Sequence, residues 1–447
     1  MNERPRLRQR VGNESLATPA AARLGFAVAD PVLGMAGGMR TIALTMTAGA
    51  ESFQAFWHAL GLGADEAGSA ARAAWQAAFE VWATGPDGWV PLLVQEVVLC
   101  HATASVCWTL LLREDQPALV GYDAAPHGPG FATPWPVVRF SLQPSPPAAY
   151  RAAYRAAVAL QPTAVHLAVG VQDMSALELA NQAGDLSSHA PFSPFGASGQ
   201  ARDYLLLGAP ELAYKKQVHR VQVRLSWQHL PPAPGNFAAY YAGYGQALAD
   251  ESFQVEAAHR AGGAWCPTAA QPLFRREGSG GLALNTVVHF GTGTSFDPDP
   301  IGLPMRLRLT APACGFGSAL YPRAVADAVR WNSQAGGPAP SLPPTGAPLS
   351  AATAGGPACP PLHEALAPAA FDRRPLPQAP FVPMVQQAAL SYRAEAVLHL
   401  GQSPPPAGSE GRFYHLNAHF ITAPTGVGPL LPITDAEEGE QINSPFL

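Results

Sequence analysis

Between Val218 and Trp227, the apolar residues Val221, Val223, Leu225 and Trp227 alternate with Arg220, Gln222, Arg224 and Ser226. Successive side chains of a strand point to opposite faces, so a period of two dictates a half-buried strand with one wet face. The flanking residues confine it. Upstream, Pro191, Pro194, Gly196 and Gly199 punctuate the chain too often for helix or regular strand, because proline lacks an N–H and glycine favours unusual dihedrals. Downstream, Pro231 to Gly235 breaks the chain. Asn236 is then placed to cap a helix carrying Phe237, Tyr240, Tyr241 and Tyr244 along one side. Turn, strand and aromatic helix follow one another here without an arranged catalytic group, which is the make-up of a segment that packs neighbours.

Other stretches repeat these two periods. Ala70 to Trp82 predicts a helix, with Trp75, Phe79 and Trp82 spaced for one face and alanines that permit close approach. Pro146 and Pro147 open a second helix with a stripe of Tyr150, Tyr154 and Val158, followed by a strand in which Val165, Leu167, Val169 and Val171 alternate. Val90 to Leu112 is the longest apolar stretch, but Gln95, Glu96 and His101 interrupt it, so it reads as two adjacent strands rather than a membrane span. Ala388 to Leu400 again has strand character. Helices laid on mainly antiparallel sheets give an α+β, β-rich class, a multidomain elongated chain with long Pro/Gly-rich loops. Five segments are expected: a flexible N-terminal arm at 1–23, an α+β domain at 24–190, a second β-rich domain at 191–333, a Pro/Gly-rich linker at 334–362, and a C-terminal β segment with an acidic tail at 363–447.

A chain of 447 residues that is 48% hydrophobic can bury a large core and divide into two to four domains. Only 13% of its residues are charged, against about 25% in ordinary soluble domains, so much of its surface is neutral. Neighbours in an assembly would leave a subunit with such a surface; a genome rich in G and C would leave the same composition. The net charge of −5 argues against a dedicated nucleic-acid binder, which needs a concentrated basic face. The one basic run, Arg4, Arg6, Arg8 and Arg10, is broken by Pro5 and reads as a solvated arm. No apolar stretch follows it as in a secretory signal, so synthesis in the cytoplasm without a signal peptide is expected.

Candidate chemistry is sparse. The cysteines at 100, 107, 266, 314 and 359 form no C-x-x-C pair, so neither a disulfide framework nor a metal site is expected. His415 and His419 have the spacing of a helical metal pair, yet lie in the strand-like FYHLNAHF. Gly291 and Gly293 lack the Lys that completes a phosphate loop, and Asp297 and Asp299 alternate with prolines that shape a turn. Ser198 lacks the spacing of a nucleophile elbow. No catalytic residue, cofactor or metal is assigned.

Four ordered sets of residues resemble the baseplate J-like proteins of phage-derived contractile injection systems. Within 191–244 these are PFSPFG, YLLLGAPE, the KK pair before the strand, and LPPAPGNFAAYYAGY. The others are GFAVADPVLGMAGGMRTIALTMT at 25–47 with TPWPVVR at 133–139, GLPMRLRLTAPACGFGSALYPRAVADAVRWN at 302–332, and LPQAPFVPMVQQAALSY at 376–392. They match that family's "PF.PFG", "YIG..E", "KK", "YY..Y", "EG.R.ITLTL", "T.WPVLR", "FGH.LYP" and "LPN.PYTP....LSLSY" patterns. The resemblance covers about residues 25–432 of a family whose members are usually much longer; the usual His after FG is Ser318, and the usual GS before the aromatic strand is Ala201 and Arg202.

What the resemblance implies is a structural wedge subunit with no enzymatic activity, present in several copies. Its partners would be other wedge subunits, spike or hub proteins and sheath-initiating proteins, with neither nucleic acid nor direct membrane insertion. It would reside in the baseplate of a cytoplasmic or released phage tail-like particle. Contact candidates from the matching motifs are Phe192, Phe195, Tyr204, Lys215, Lys216, Tyr240, Tyr241, Phe316, Tyr321 and Arg323, with the two lysines expected to be exposed. A different class of function, a β-rich carbohydrate- or cell-surface-binding module, would use Trp135, Trp227 or Trp265 to stack on sugars.

Overall fold

The structure is a computed structural model that describes residues 22–61, 69–143, 147–197, 199–231, 236–241, 248–278, 281–291, 303–313, 315–316, 380–400, 411–420 and 434–435. It opens with strands β1 (Ala22–Ala29) and β2 (Met39–Ala48), then helices α1 (Ala50–Ala59) and α2 (Ser69–Ala77). Four strands follow: β3 (Phe79–Gly85), β4 (Gly88–Pro91), β5 (Leu93–Cys100) and β6 (Ser105–Leu112). The one-turn α3 (Ala124–His127) leads to β7 (Val137–Leu142), and α4 (Pro147–Ala159) to β8 (Pro162–Met174). Next come β9 (Glu178–Asn181), β10 (Gly184–Leu186), β11 (Tyr204–Gly208), β12 (Gln217–Gln228) and the short α5 (Phe237–Tyr240). Then come β13 (Gln254–Ala261), β14 (Ala264–Pro267), β15 (Gln271–Pro272), β16 (Arg276–Glu277) and β17 (Gly281–Leu282). The last described strands are β18 (Asn285–His289), β19 (Met305–Ala311), β20 (Met384–His399), β21 (Arg412–Phe420) and β22 (Thr434–Asp435).

Every pairing among the described residues is antiparallel, and half of those residues are strand. The class is β-rich α+β. Three sheets carry the fold: a first sheet in the order β22-β21-β1-β7-β3-β4, a central one in the order β18-β12-β20-β8-β2-β6-β5, and a third in the order β10-β9-β11-β19-β13-β14. The central sheet draws β2, β5, β6 and β8 from the segment expected at 24–190, β12 and β18 from that at 191–333, and β20 from that at 363–447. The segments read from composition are therefore sewn into shared sheets and do not form separate ones.

Packing follows the alternation. Val221, Val223, Leu225 and Trp227 all point into the core, as do Val165, Leu167, Val169 and Val171 of β8, and a bulge between His219 and Gln222 brings Val218 to the same side. The first sheet meets one half of the central sheet through rings: Trp108 of β6 lies 5.8 Å from Phe26 of β1 and 5.4 Å from Phe140 of β7. Such tilted and edge-to-face pairs add to the burial of their area. Val90 to Leu112 contains the hairpin of β5 and β6, preceded by the end of β4. The helix expected at Ala70–Trp82 ends at Ala77; Phe79, Val81 and Ala83 turn inward from β3 instead, and Trp82 sits on its other face. α4 begins at Pro147 and buries small residues, Ala153, Ala156 and Ala157, with Tyr154 and Val158 at the margin. The aromatic helix after Asn236 is a single turn, and Tyr244 lies outside the described residues. So do residues 1–21 of the arm expected at 1–23, whose last two residues instead open β1, the whole 334–362 segment, and Tyr321 and Arg323.

Candidate functional site

The connection from β1 to β2 does not cross open surface. Asp30 caps the turn at Pro31–Leu33 by accepting from the Val32 N–H at 2.8 Å, the usual service of an Asp before a proline-started turn. The chain enters β2 through Gly38 at φ +73, where a Cβ would overlap the carbonyl oxygen of Gln172. This conformation and this closeness both require glycine.

Against that connection lies a buried polar cluster. The Lys215 ammonium donates to the carbonyls of Val32 at 2.8 Å and Gly34 at 2.5 Å. Glu211, one turn earlier in sequence, accepts from the Ala36 N–H with one carboxylate oxygen and from the Tyr392 hydroxyl with the other. Arg40, fully buried on β2, donates to four carbonyls, those of Gly38, Arg113, Gln116 and Pro117, at 2.6 to 3.2 Å. The Lys215 nitrogen also stands 5.5 Å from the centre of the Tyr392 ring. Three distant stretches, 30–40, 211–215 and β20, are thereby tied at one point.

Electrostatics follow from burial. Desolvation brings the Lys215 ammonium down to about 8, with the Glu211 and Asp30 carboxylates pulling the other way. Tyr392 is pushed well above 10, first by desolvation and then by the charge of Glu211. Arg40 is lowered by burial and supported by Glu211. A lysine near 8 could serve as a base where a substrate can reach it. Two surface grooves, of about 590 Å³ between α2 and the β3–β5 region and about 350 Å³ beside the β9–β10 turn, are lined by other residues. The cluster's chemistry is thus spent on backbone carbonyls, and its effect is to order a loop.

A second convergence is aromatic. Phe316 stacks on Phe253 at 4.1 Å, and Phe237 lies 4.8 Å from Phe253 and Phe274 and 5.2 Å from Phe381. The Tyr241 hydroxyl accepts from the Phe381 N–H at 3.1 Å. Asp250, with no exposed surface, holds this core by accepting from the Phe237 N–H at 2.8 Å and from Arg276 Nε at 2.6 Å. The Pro191 turn joins in through Phe192, which forms a two-hydrogen-bond bridge to Val385 of β20.

The contact candidates divide accordingly. Phe192, Phe195, Tyr241 and Phe316 are buried within this chain. Lys215, expected at the surface, is only 1% exposed; its correction comes from the carbonyls of a loop 181 and 183 residues away in sequence. Lys216 is exposed, and Tyr204 and Tyr240 are half-buried. Among the sugar-stacking candidates, Trp227 is buried and donates to Thr286 at 2.8 Å. Trp265 is covered by the Arg306 guanidinium at 4.5 Å, and Trp135 stands beside the exposed Tyr214.

Among the described residues no group of three or more His, Cys, Asp or Glu could hold a metal ion. His415 and His419 lie on β21, a strand as expected, and Asp297, Asp299, Gly293 and Ser198 are outside the described residues. Cys100, Cys107 and Cys266 are free. No described helix is long and apolar enough to cross a membrane. Sequence reasoning passed over Asp30, Arg40, Glu211, Asp250 and Tyr392 as site residues, although Asp30, Arg40, Glu211 and Tyr392 sit inside the motif segments quoted above. Neither a scan of protein-family models nor a search of the curated proteins finds a match.

Proposed function

We propose that this chain is a structural wedge subunit of the baseplate of a contractile injection system. It assembles with other wedge subunits around a central spike or hub, contacts the sheath-initiating proteins, and couples baseplate rearrangement to sheath contraction. One observation carries the reading: residues of the resembling motifs, far apart in sequence, meet in space. Glu211 of GAPE, Lys215 of KK and Tyr392 of ALSY form the buried polar cluster, and Arg40 of GMRTIALT lies within reach of the Glu211 charge. Phe237 and Tyr241 of FAAYY, Phe316 of the FG turn and Phe381 of APFVP form the aromatic core. Motifs that exist to build one fold converge in this way, and a subunit that transmits rearrangement needs rigid, well-tied units between its interfaces.

Cryo-electron microscopy of contractile particles from the native host, with this chain tagged, tests the reading. Copies ringing the spike at the base of the sheath are expected; intact baseplates without the chain would refute it. A second reading, a carbohydrate- or cell-surface-binding module, draws on Trp135 and Tyr214, whose rings are 6.1 Å apart with Tyr214 exposed. Glycan binding by the isolated protein, lost on Tyr214→Ala, would favour it.

A further inference from the structure

The six edges of the three large sheets are not alike. An edge strand presents unpaired N–H and C=O groups, and proteins blunt such edges with short strands, prolines and charges. β22 has two residues, β10 has three and carries Asp185, and β4 and β14 have four each and end in Pro91 and Pro267. On β18 the amide side chain of Gln271 occupies both the N–H and the C=O of His289, at 3.1 and 2.8 Å. β5 is blunted less: its devices are one charge, Glu96, and a bulge between Val94 and Glu96. It runs for eight residues, LVQEVVLC, without Pro or Lys. Gln76 of α2 donates to the Val94 carbonyl at 3.0 Å. Beyond that point, among the described residues, the backbone from Gln95 to Leu99 is bonded by β6 alone. Leu93 and Val98 on this strand are 55% and 40% exposed.

We propose that β5 is a self-docking edge: β5 of a second copy pairs with it antiparallel about Val98, joining two seven-stranded central sheets into one. The occupant follows from the strand's one charge, Glu96. Pairing about Val98 sets Val98 against its counterpart, Val97 against Leu99 and Glu96 against Cys100, so no charge meets a like charge and a β-branched pair sits at the centre. Centring on Glu96 would bring two carboxylates face to face. Two-fold pairing presents the same patch from both copies and closes after two, as isologous contacts do.

Sedimentation velocity on the full chain, over concentrations on the order of 1 to 100 µM suited to a small interface, tests this. A monomer–dimer equilibrium is expected, with the dissociation constant raised at least about tenfold by Val98→Lys, which puts two ammonium groups at the two-fold axis. Because Val98 faces solvent, circular dichroism of that variant should match the wild type. Val98→Cys, treated with a mild oxidant that takes two thiols to a disulfide, should give a covalent dimer, whereas Leu284→Cys beside the other edge should not. A wild-type monomer across the range, a dimer untouched by Val98→Lys, or equal cross-linking of the two cysteine variants would overturn the assignment. A monomer would leave the baseplate reading standing, since that turns on where the chain sits in a particle.

Discussion

Lys215 holds its charge where water does not reach, and the consequence is a definite dependence on pH. In the unfolded chain its ammonium titrates near 10.5 and in the folded chain near 8. Below pH 8 the group is charged in both states and the folded state bears the whole penalty, about 3 kcal/mol. Between those values the unfolded state binds more protons, so stability rises with pH. Tyr392 acts in the opposite sense above pH 10: its neutral phenol is favoured in the fold, so ionisation of the unfolded chain draws stability down. Urea denaturation of the wild type should therefore show a gain from pH 8 to about 10 and a loss above it, and Lys215→Met should abolish the gain and keep the loss. At pH 7 the same substitution lifts that penalty but leaves the carbonyls of Val32 and Gly34 without their donor, a loss of about 1 to 3 kcal/mol for each buried acceptor. Tyr392→Phe, which removes one hydrogen bond to a carboxylate, should cost about 1.5 to 3 kcal/mol in the same assay. None of this burial is visible in the local sequence, because ELAYKKQ looks like a solvated turn; the two carbonyls that bury the first lysine come from the other side of the fold.

Single elements were legible where one period dominated. β8 alternates cleanly, and β12 does so from Val221 onward, after a bulge between His219 and Gln222. The stretch from Ala70 to Trp82 carries two periods at once: Trp75 and Phe79 are spaced for a helix, while Phe79, Val81 and Ala83 are spaced for a strand. Pairing of β3 with β7 and β4 decides for the strand from Phe79 onward, a tertiary choice that no local window contains. The turn into β2 offers a sharper test. Gly38→Ala meets both a positive φ and the backbone of Gln172, whereas Gly61→Ala meets a φ of +76 with nothing within 4 Å of its new Cβ. Thermal denaturation should show Gly61→Ala costing about 1 kcal/mol, the conformational cost alone, and Gly38→Ala about 3 kcal/mol or more.

At the scale of the molecule, the class was legible from the repeated short strands, but the partition was not. Composition marks 334–362 as a break, yet β20, on its far side, lies between β12 and β8 in the middle of the central sheet. Removal of 381–447 takes away that strand together with β21 of the first sheet. The remaining chain should show neither a native circular dichroism spectrum nor a cooperative melt; a folded remainder would mean that the sheet halves are independent. By the same token the intact chain should unfold in one transition, with Trp108 and Trp227 reporting the same midpoint.

The position of β20 also sets an order of events during synthesis. β8 and β12 emerge from the ribosome well before the strand that fills the gap between them, and until it arrives each keeps a long apolar edge without its final neighbour. Contacts of such sequence separation form slowly, and open edges of this kind are where nascent chains stick to one another. The seam at the centre of the sheet is the last to close, so the yield of folded protein depends on how well those two strands are shielded while they wait.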